Sequence, residues 1–234
     1  MFQQDYQIYQ ERRKSFLSKL NGKAAIIPGA TLVTHHADCE YPFRQDSNFW
    51  YLTGFDEPDA IALFLSHKPI GERFILFVHP KEVISEVWNG VRCGVNGAEE
   101  LFKADKSHPI SEFESELTNY LNGADEIIFS IGKHPSIEPI VLNFWSKQID
   151  NYSRLGKAPQ SIKPPGLFLN EMRLVKSSYE IQRMREAAQI SAEAHEVVRL
   201  NLSSKTNERQ VQGLLEGLFL ERGARGPAYN SIVA

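Results

Sequence analysis

The chain has 234 residues, 42% hydrophobic and 24% charged, the composition of an ordinary globular protein with room for one large domain or two modest ones. A formal charge of −3 excludes the basic stripe of a nucleic-acid binder, and no apolar run reaches the length of about 18 residues that a membrane span needs. The N-terminus lacks the basic and apolar regions of a signal peptide, and Cys39 and Cys93 show no CxxC spacing, so a cytoplasmic protein is expected.

In chain order, Asp5 is placed to cap a first helix whose Tyr9, Phe16, Leu17 and Leu20 share one face, with Asn21-Gly22 as its stop. The apolar run at 24–27, closed by Pro28-Gly29, reads as a buried strand. Further strands are expected at 49–52, 60–65, 74–78 and 127–130. Between them, Phe113, Leu117 and Leu121 recur every fourth residue, and Ile137, Ile140, Val141, Phe144 and Trp145 follow helical spacing. Strands interleaved with amphipathic helices predict an α/β layered domain, a mixed sheet flanked by helices, over residues 1–165. Gly156, Pro159, Pro164, Pro165 and Gly166 mark a linker that begins near residue 152.

A second domain is expected over 166–234. Ser177 and Glu180 form a capping box for a helix running to about residue 200, with Ile181, Met184, Ala188, Ala192 and His195 near one face. A second helix is predicted from a Thr206 cap to about Arg222, ended by Gly223, and a strand at 229–233. Two helices and one strand bury too little surface to stand alone and leave a sheet edge open, so this domain is expected to be incomplete.

Chemical motifs are sparse. No Gly-x-Gly, P-loop or Gly-x-Ser-x-Gly occurs, which removes the usual nucleotide and serine-hydrolase signatures. His35 and His36 are adjacent, and on an extended segment neighbours face opposite ways, so a shared metal ion is disfavoured. Asp38 and Glu40 would share one face of an extended strand, where a solvated edge outweighs paired acid–base work. His195 has no His or Glu at i+4 and reads as a packing residue. Cys39 and Cys93 read as small hydrophobes without a base to activate them. Trp88, before a glycine-rich turn on an expected loop, is equally a core plug or a recognition residue.

The densest feature is aromatic: six rings fall at 41–55, in Tyr41-Pro-Phe-Arg-Gln-Asp-Ser-Asn-Phe-Trp-Tyr-Leu-Thr-Gly-Phe, followed by Asp56-Glu-Pro. It reads as either the packed centre of the first domain or a recognition surface. This stretch, with Glu86-Val-Trp-Asn-Gly, Glu171-Met-Arg-Leu-Val-Lys-Ser and Tyr229-Asn-Ser-Ile-Val-Ala in the same order, resembles the Xaa-Pro aminopeptidase (aminopeptidase P) family. The resemblance implies a creatinase-type N-terminal α/β domain followed by the start of an α+β pita-bread catalytic domain. It implies release of the N-terminal residue ahead of a penultimate proline, from proline-containing peptides, by a homo-oligomer. The family holds two manganese ions with ligands expected beyond Tyr229-Asn-Ser-Ile-Val-Ala, so no manganese is expected to bind this chain and it is expected to be inactive alone. Only Tyr229, bordering the cleft, and Trp88, reaching a neighbouring subunit, carry over as substrate-proximal positions. No catalytic or metal-binding residue carries over. The alternatives are a non-catalytic creatinase-like module for oligomerisation or scaffolding, and a prolidase-like dipeptidase.

Overall fold

The computed structural model describes residues 6–204 and 206–233, with Leu155 described by its backbone alone. Helix α1 (Tyr6–Leu20) leads into strand β1 (Ala24–Pro28), a small hairpin of β2 (Thr34–His36) and β3 (Cys39–Glu40), and helix α2 (Ser47–Thr53). Strands β4 (Ile61–Leu65) and β5 (Phe74–Val78) follow, then helices α3 (Val83–Asn89) and α4 (Gly94–Glu100) and strand β6 (Lys106–Pro109). Helix α5 (Phe113–Leu121), strand β7 (Ile127–Ile128), helices α6 (Glu138–Asp150) and α7 (Tyr152–Leu155), strand β8 (Ile162–Lys163) and helix α8 (Gly166–Leu174) come next. Helices α9 (Ser178–Asn201) and α10 (Glu208–Glu221) complete the sequence of elements. Contacts divide the chain into one unit through Met172 and another from Arg173.

The main sheet has the order β6-β5-β4-β1-β7-β8. β4 pairs antiparallel with both β1 and β5, while β1–β7, β5–β6 and β7–β8 are parallel. Five strands therefore share one direction and β4 alone opposes them. Every residue of β1, β4 and β5 is buried. That burial on both faces is why these segments read as continuous apolar runs instead of alternating ones.

The alternation of the pleat sorts the core into two clusters. On one face Ala25, Ile27, Ala62, Phe64, Phe74 and Leu76 pack with Phe16 and Leu20 of α1, Phe49 and Leu52 of α2, and Leu169 of α8. On the other, Ile26, Leu63, Ile75 and Phe77 pack with Phe113 and Leu117 of α5 and Val141 and Phe144 of α6. The sequence periodicity of α5 and α6 is thus the periodicity of this second layer. The expected mixed sheet flanked by helices is the observed architecture.

Several local expectations are corrected. Residues 49–52 form part of a helix, not a strand: the Asp46 carboxylate accepts the Asn48 and Phe49 amides at 2.8 and 2.9 Å and caps it, a device that contributes about 0.5–2 kcal/mol. Gly54 closes α2 with φ +67°, and a Cβ there would meet the Tyr9 ring at 2.6 Å. Residues 152–165, expected as a linker, instead supply α7 and the edge strand β8. Glu126 fixes β8 through Lys163 at 2.5 Å and Ser161 at 2.9 Å, and Trp145 donates to the Pro159 carbonyl at 2.8 Å. In the second unit, Asn207 and not Thr206 caps α10, forming a capping box with Gln210. The expected strand at 229–233 is irregular, because no described segment pairs with it. The Asp5 cap lies outside the described residues.

Arg13 shows what the periodicity did not reveal. It is buried in α1, donates to the Leu52 and Phe102 carbonyls at 3.2 Å each, and lies over the Phe74 ring at 4.2 Å. Burial pulls its pKa down to about 10, opposed by Asp105, so it remains a cation at neutral pH. Arg13→Met should therefore lower stability by about 2–4 kcal/mol, because it leaves two carbonyls short of a donor. Urea unfolding checks this, with a lowered midpoint and an unchanged slope expected.

His67, within hydrogen-bond reach of the Tyr120 carbonyl at 3.1 Å, and His134 both have pKa values lowered by burial. A ring whose folded pKa lies below its ordinary value of about 6.5 favours folding while neutral. That contribution is complete above pH 6.5 and is lost as the pH falls through the depressed folded values. The urea midpoint should fall between pH 7.5 and 5, and His67→Gln should flatten the dependence. An unchanged slope against pH in that variant would assign the effect elsewhere.

Candidate functional site

Because β4 alone opposes the other strands, the loops after β1 and β5 and the loop before β4 gather at one edge of the sheet, the carboxyl edge of the parallel strands. In layered α/β proteins this is where side chains are left free of packing and available to ligands. Gln45 knots the loops together. Its Oε1 accepts the Ala30 and Asp46 amides at 2.6 and 2.8 Å, and its Nε2 donates to the Glu57 carbonyl at 2.9 Å. Gly29 makes room for it, since a Cβ there would lie 2.9 Å from Gln45 Oε1. His79 and Asp59 lie 3.5 Å apart at the same edge.

The aromatic block divides its labour around this knot. Phe49, Leu52 and Phe55 are wholly buried, whereas Tyr41 and Trp50 are exposed. Tyr51 donates its hydroxyl to the Met172 carbonyl at 3.1 Å and lies under the Arg12 guanidinium at 4.2 Å. The block is thus partly core and partly surface.

Trp88 lies on α3, a helix where a loop was expected, and it is 86% exposed. It is not a core plug. Val83, Ile84, Val87 and Val91 are exposed beside it, and α3 buries none of its residues. Following α3, the Arg92 amide donates to Glu86 at 2.9 Å and the Cys93 amide to Glu57 at 2.8 Å. Burial first, and Glu57 second, push the Cys93 thiol up to about 12. It stays protonated and is no nucleophile. Glu57 stands in the quoted family stretch, yet composition alone gave it no role; its contact is with a residue 36 positions away.

The remaining candidates do not converge. His35 and His36 lie on β2, Asp38 falls in the turn and Glu40 on β3, so the two carboxylates do not share a strand. His195 is exposed on α9, its Nδ1 2.7 Å from the Ser191 carbonyl, and does not pack in a core. Ala194 and Val198 are the buried residues of α9, so the expected face through Ile181 and Met184 lies open. Tyr229 is 77% exposed, and nearby Ser231 donates to Glu216 at 2.7 Å. His108 bridges Glu112 and the Tyr120 hydroxyl at 3.4 and 2.6 Å, but burial pushes that hydroxyl up to about 12, so the relay ties β6 to α5 without an activated oxygen. Among the described residues no three His, Cys, Asp or Glu side chains gather to hold a metal ion, and the residues present do not fit one.

The model of the family described as Aminopeptidase P, N-terminal domain matches residues 9–129, and that of Metallopeptidase family M24 matches 182–234. The chain belongs to the aminopeptidase P N-terminal domain family. It is 33% identical to the Xaa-Pro aminopeptidase of Escherichia coli over 228 residues, 97% of this chain and 52% of that protein. Its structure matches proline aminopeptidase P II from Yersinia pestis with a TM-score of 0.89 at 35% identity, over 97% of this chain and 52% of that one. It also matches a zinc-substituted E. coli aminopeptidase P in complex with product, with a TM-score of 0.91 at 33% identity, over 99% of this chain and 53% of that one. The chain spans about half the length of the curated relatives it matches.

An exposed tryptophan contributes little to folding. Trp88→Ala should change stability by no more than about 0.5 kcal/mol. Thermal unfolding of the variant beside the parent checks this, and a large drop in midpoint would return Trp88 to the core.

Proposed function

We propose that the protein to which these 234 residues belong is an Xaa-Pro aminopeptidase, a metallopeptidase that releases the residue ahead of a penultimate proline. The supporting observation is the alignment of 97% of this chain with an Xaa-Pro aminopeptidase at 33% identity, joined to the M24 match at 182–234. The substrates in this reading are proline-containing peptides. A proline in the second position has no N–H and a fixed φ, so recognition must rest on ring shape and not on a backbone donor. In this reading residues 1–165 are the N-terminal domain and 166–234 begin the catalytic one, the assembly is a homo-oligomer, and the compartment is the cytoplasm.

Manganese, as a pair of ions, is the metal we infer for the whole enzyme. The described residues offer no cluster to carry it, and no chemical step is assigned to them. Their roles are scaffolding and, at Trp88 and Tyr229, lining the path of the substrate. Both rings are exposed, as a substrate or subunit contact requires.

The purified 234-residue polypeptide with added manganese should neither retain the ion at stoichiometric level nor release the first residue from Xaa-Pro peptides. Turnover by this chain would overturn the assignment of the chemistry to other residues. In the longer enzyme, Trp88→Ala should weaken association or activity while leaving the fold intact. Cleavage of Xaa-Pro dipeptides but not longer peptides would favour the prolidase-like alternative, and inactivity of the longer protein would favour the scaffold.

A further inference from the structure

We propose that the Glu99 carboxylate plugs the open edge of the sheet, so that a second copy of this chain cannot add a strand to β6. β6 ends the strand order, and an edge with unpaired backbone groups is a template for pairing with another chain. Which groups of β6 face outward follows from the register. The Asp105 amide donates to the Phe74 carbonyl at 2.8 Å, so Phe74 faces β6, and by alternation so do Leu76 and Val78. The Leu65 amide donates to the Arg73 carbonyl at 2.8 Å, which agrees, since it turns Ile75 and Phe77 toward β4. In a parallel pair such a residue bonds the two neighbours of its register partner. Leu76 is in register with Ser107, so Lys106 and His108 turn their backbone groups toward β5, and Ser107 and Pro109 turn theirs outward.

Ser107 therefore holds the one outward amide of β6, because proline has none. Two copies of such an edge are self-complementary about a two-fold axis: each Ser107 would give its amide to the other's carbonyl, as a hydrogen-bonded antiparallel pair does. In this chain the amide is already taken. It donates to Glu99 Oε1 at 2.9 Å. Ser107 Oγ lies 2.9 Å from the same oxygen and 2.8 Å from the Val95 carbonyl, which holds the carboxylate of α4 against the strand. Oε1 thus stands where the carbonyl of an added strand would have to stand, and its charge repels that carbonyl. Glu99 is exposed, so the plug lies at the surface that a second chain would approach. The opposite edge needs no such device, since β8 has two residues and Pro164 follows it.

Three variants of the full chain test this. Glu99→Ala removes the plug, and Glu99→Asp keeps the charge but draws the carboxylate back from the Ser107 amide. In sedimentation velocity both should pass to larger species at concentrations about tenfold or more below the parent's. Glu99→Gln, which retains an acceptor for that amide, should stay within about threefold of the parent. Amide exchange locates the contact. In dilute Glu99→Asp the Ser107 amide should exchange about tenfold faster than in the parent and regain protection as the chains associate, while β4 and β5 keep theirs. Association of Glu99→Asp no stronger than the parent's would overturn the plug. So would association of Glu99→Gln equal to that of Glu99→Ala, or association that leaves the Ser107 amide exchanging freely. Lost protection throughout β4 and β5 in both Glu99→Ala and Glu99→Asp would make Glu99 a residue of the fold alone, and would overturn it too.

Discussion

The structure depends on the complete burial of β1, β4 and β5. A strand buried on both faces can satisfy its backbone only through neighbours on either side, and its side chains only through a layer above and a layer below. The register Ala24↔Leu65 through Pro28↔Ile61 meets the first demand over the full length of β1. The helices meet the second: Phe16 and Phe49 on one face, Leu117 and Phe144 on the other. With both faces covered, polar side chains are expelled to the strand ends, and the loops there are free to carry recognition.

What those loops carry is organised by polar contacts instead of packing. Gln45 joins the loop after β1 to the loop before β4 with two hydrogen bonds, to Ala30 and Glu57, and accepts the amide of its neighbour Asp46 with a third. Glu57, held by that knot, reaches the return segment behind α3. The result is an apolar helix projecting from a fixed edge, with Trp88 at its exposed face. A single exposed tryptophan is unremarkable, but five large apolar side chains on one short exposed segment are more than scattered surface exposure supplies.

The chemistry of the chain is correspondingly quiet. Burial keeps Cys93 and Tyr120 protonated and lowers the pKa values of His67 and His134, the first within reach of the Tyr120 carbonyl and the second against the Phe129 ring. The chain belongs to the aminopeptidase P N-terminal domain family and matches the M24 model at 182–234, and among its described residues no three His, Cys, Asp or Glu side chains gather to hold a metal ion.

The sequence by itself determined the family, the layered α/β class, the buried strands at 61–65 and 74–78, and the helices α5, α6 and α9, since each rests on local periodicity, an apolar run or a cap. It failed where a distant partner decides. Residues 49–52 carry the aromatic and apolar composition of a strand, but Asp46 and Gly54 cap them into a helix that covers the sheet. Residues 162–163 look like linker and become an edge strand because β7 offers a free edge and Glu126 a salt bridge. Arg13 sits on an apolar helix face because two carbonyls far along the chain need its donors. The site residues split the same way. Trp88 was legible as a ring in a family stretch, but its placement on a projecting helix and its attachment through Glu57 came only from tertiary structure, because hydrogen bonds between residues 36 apart leave no periodicity to read.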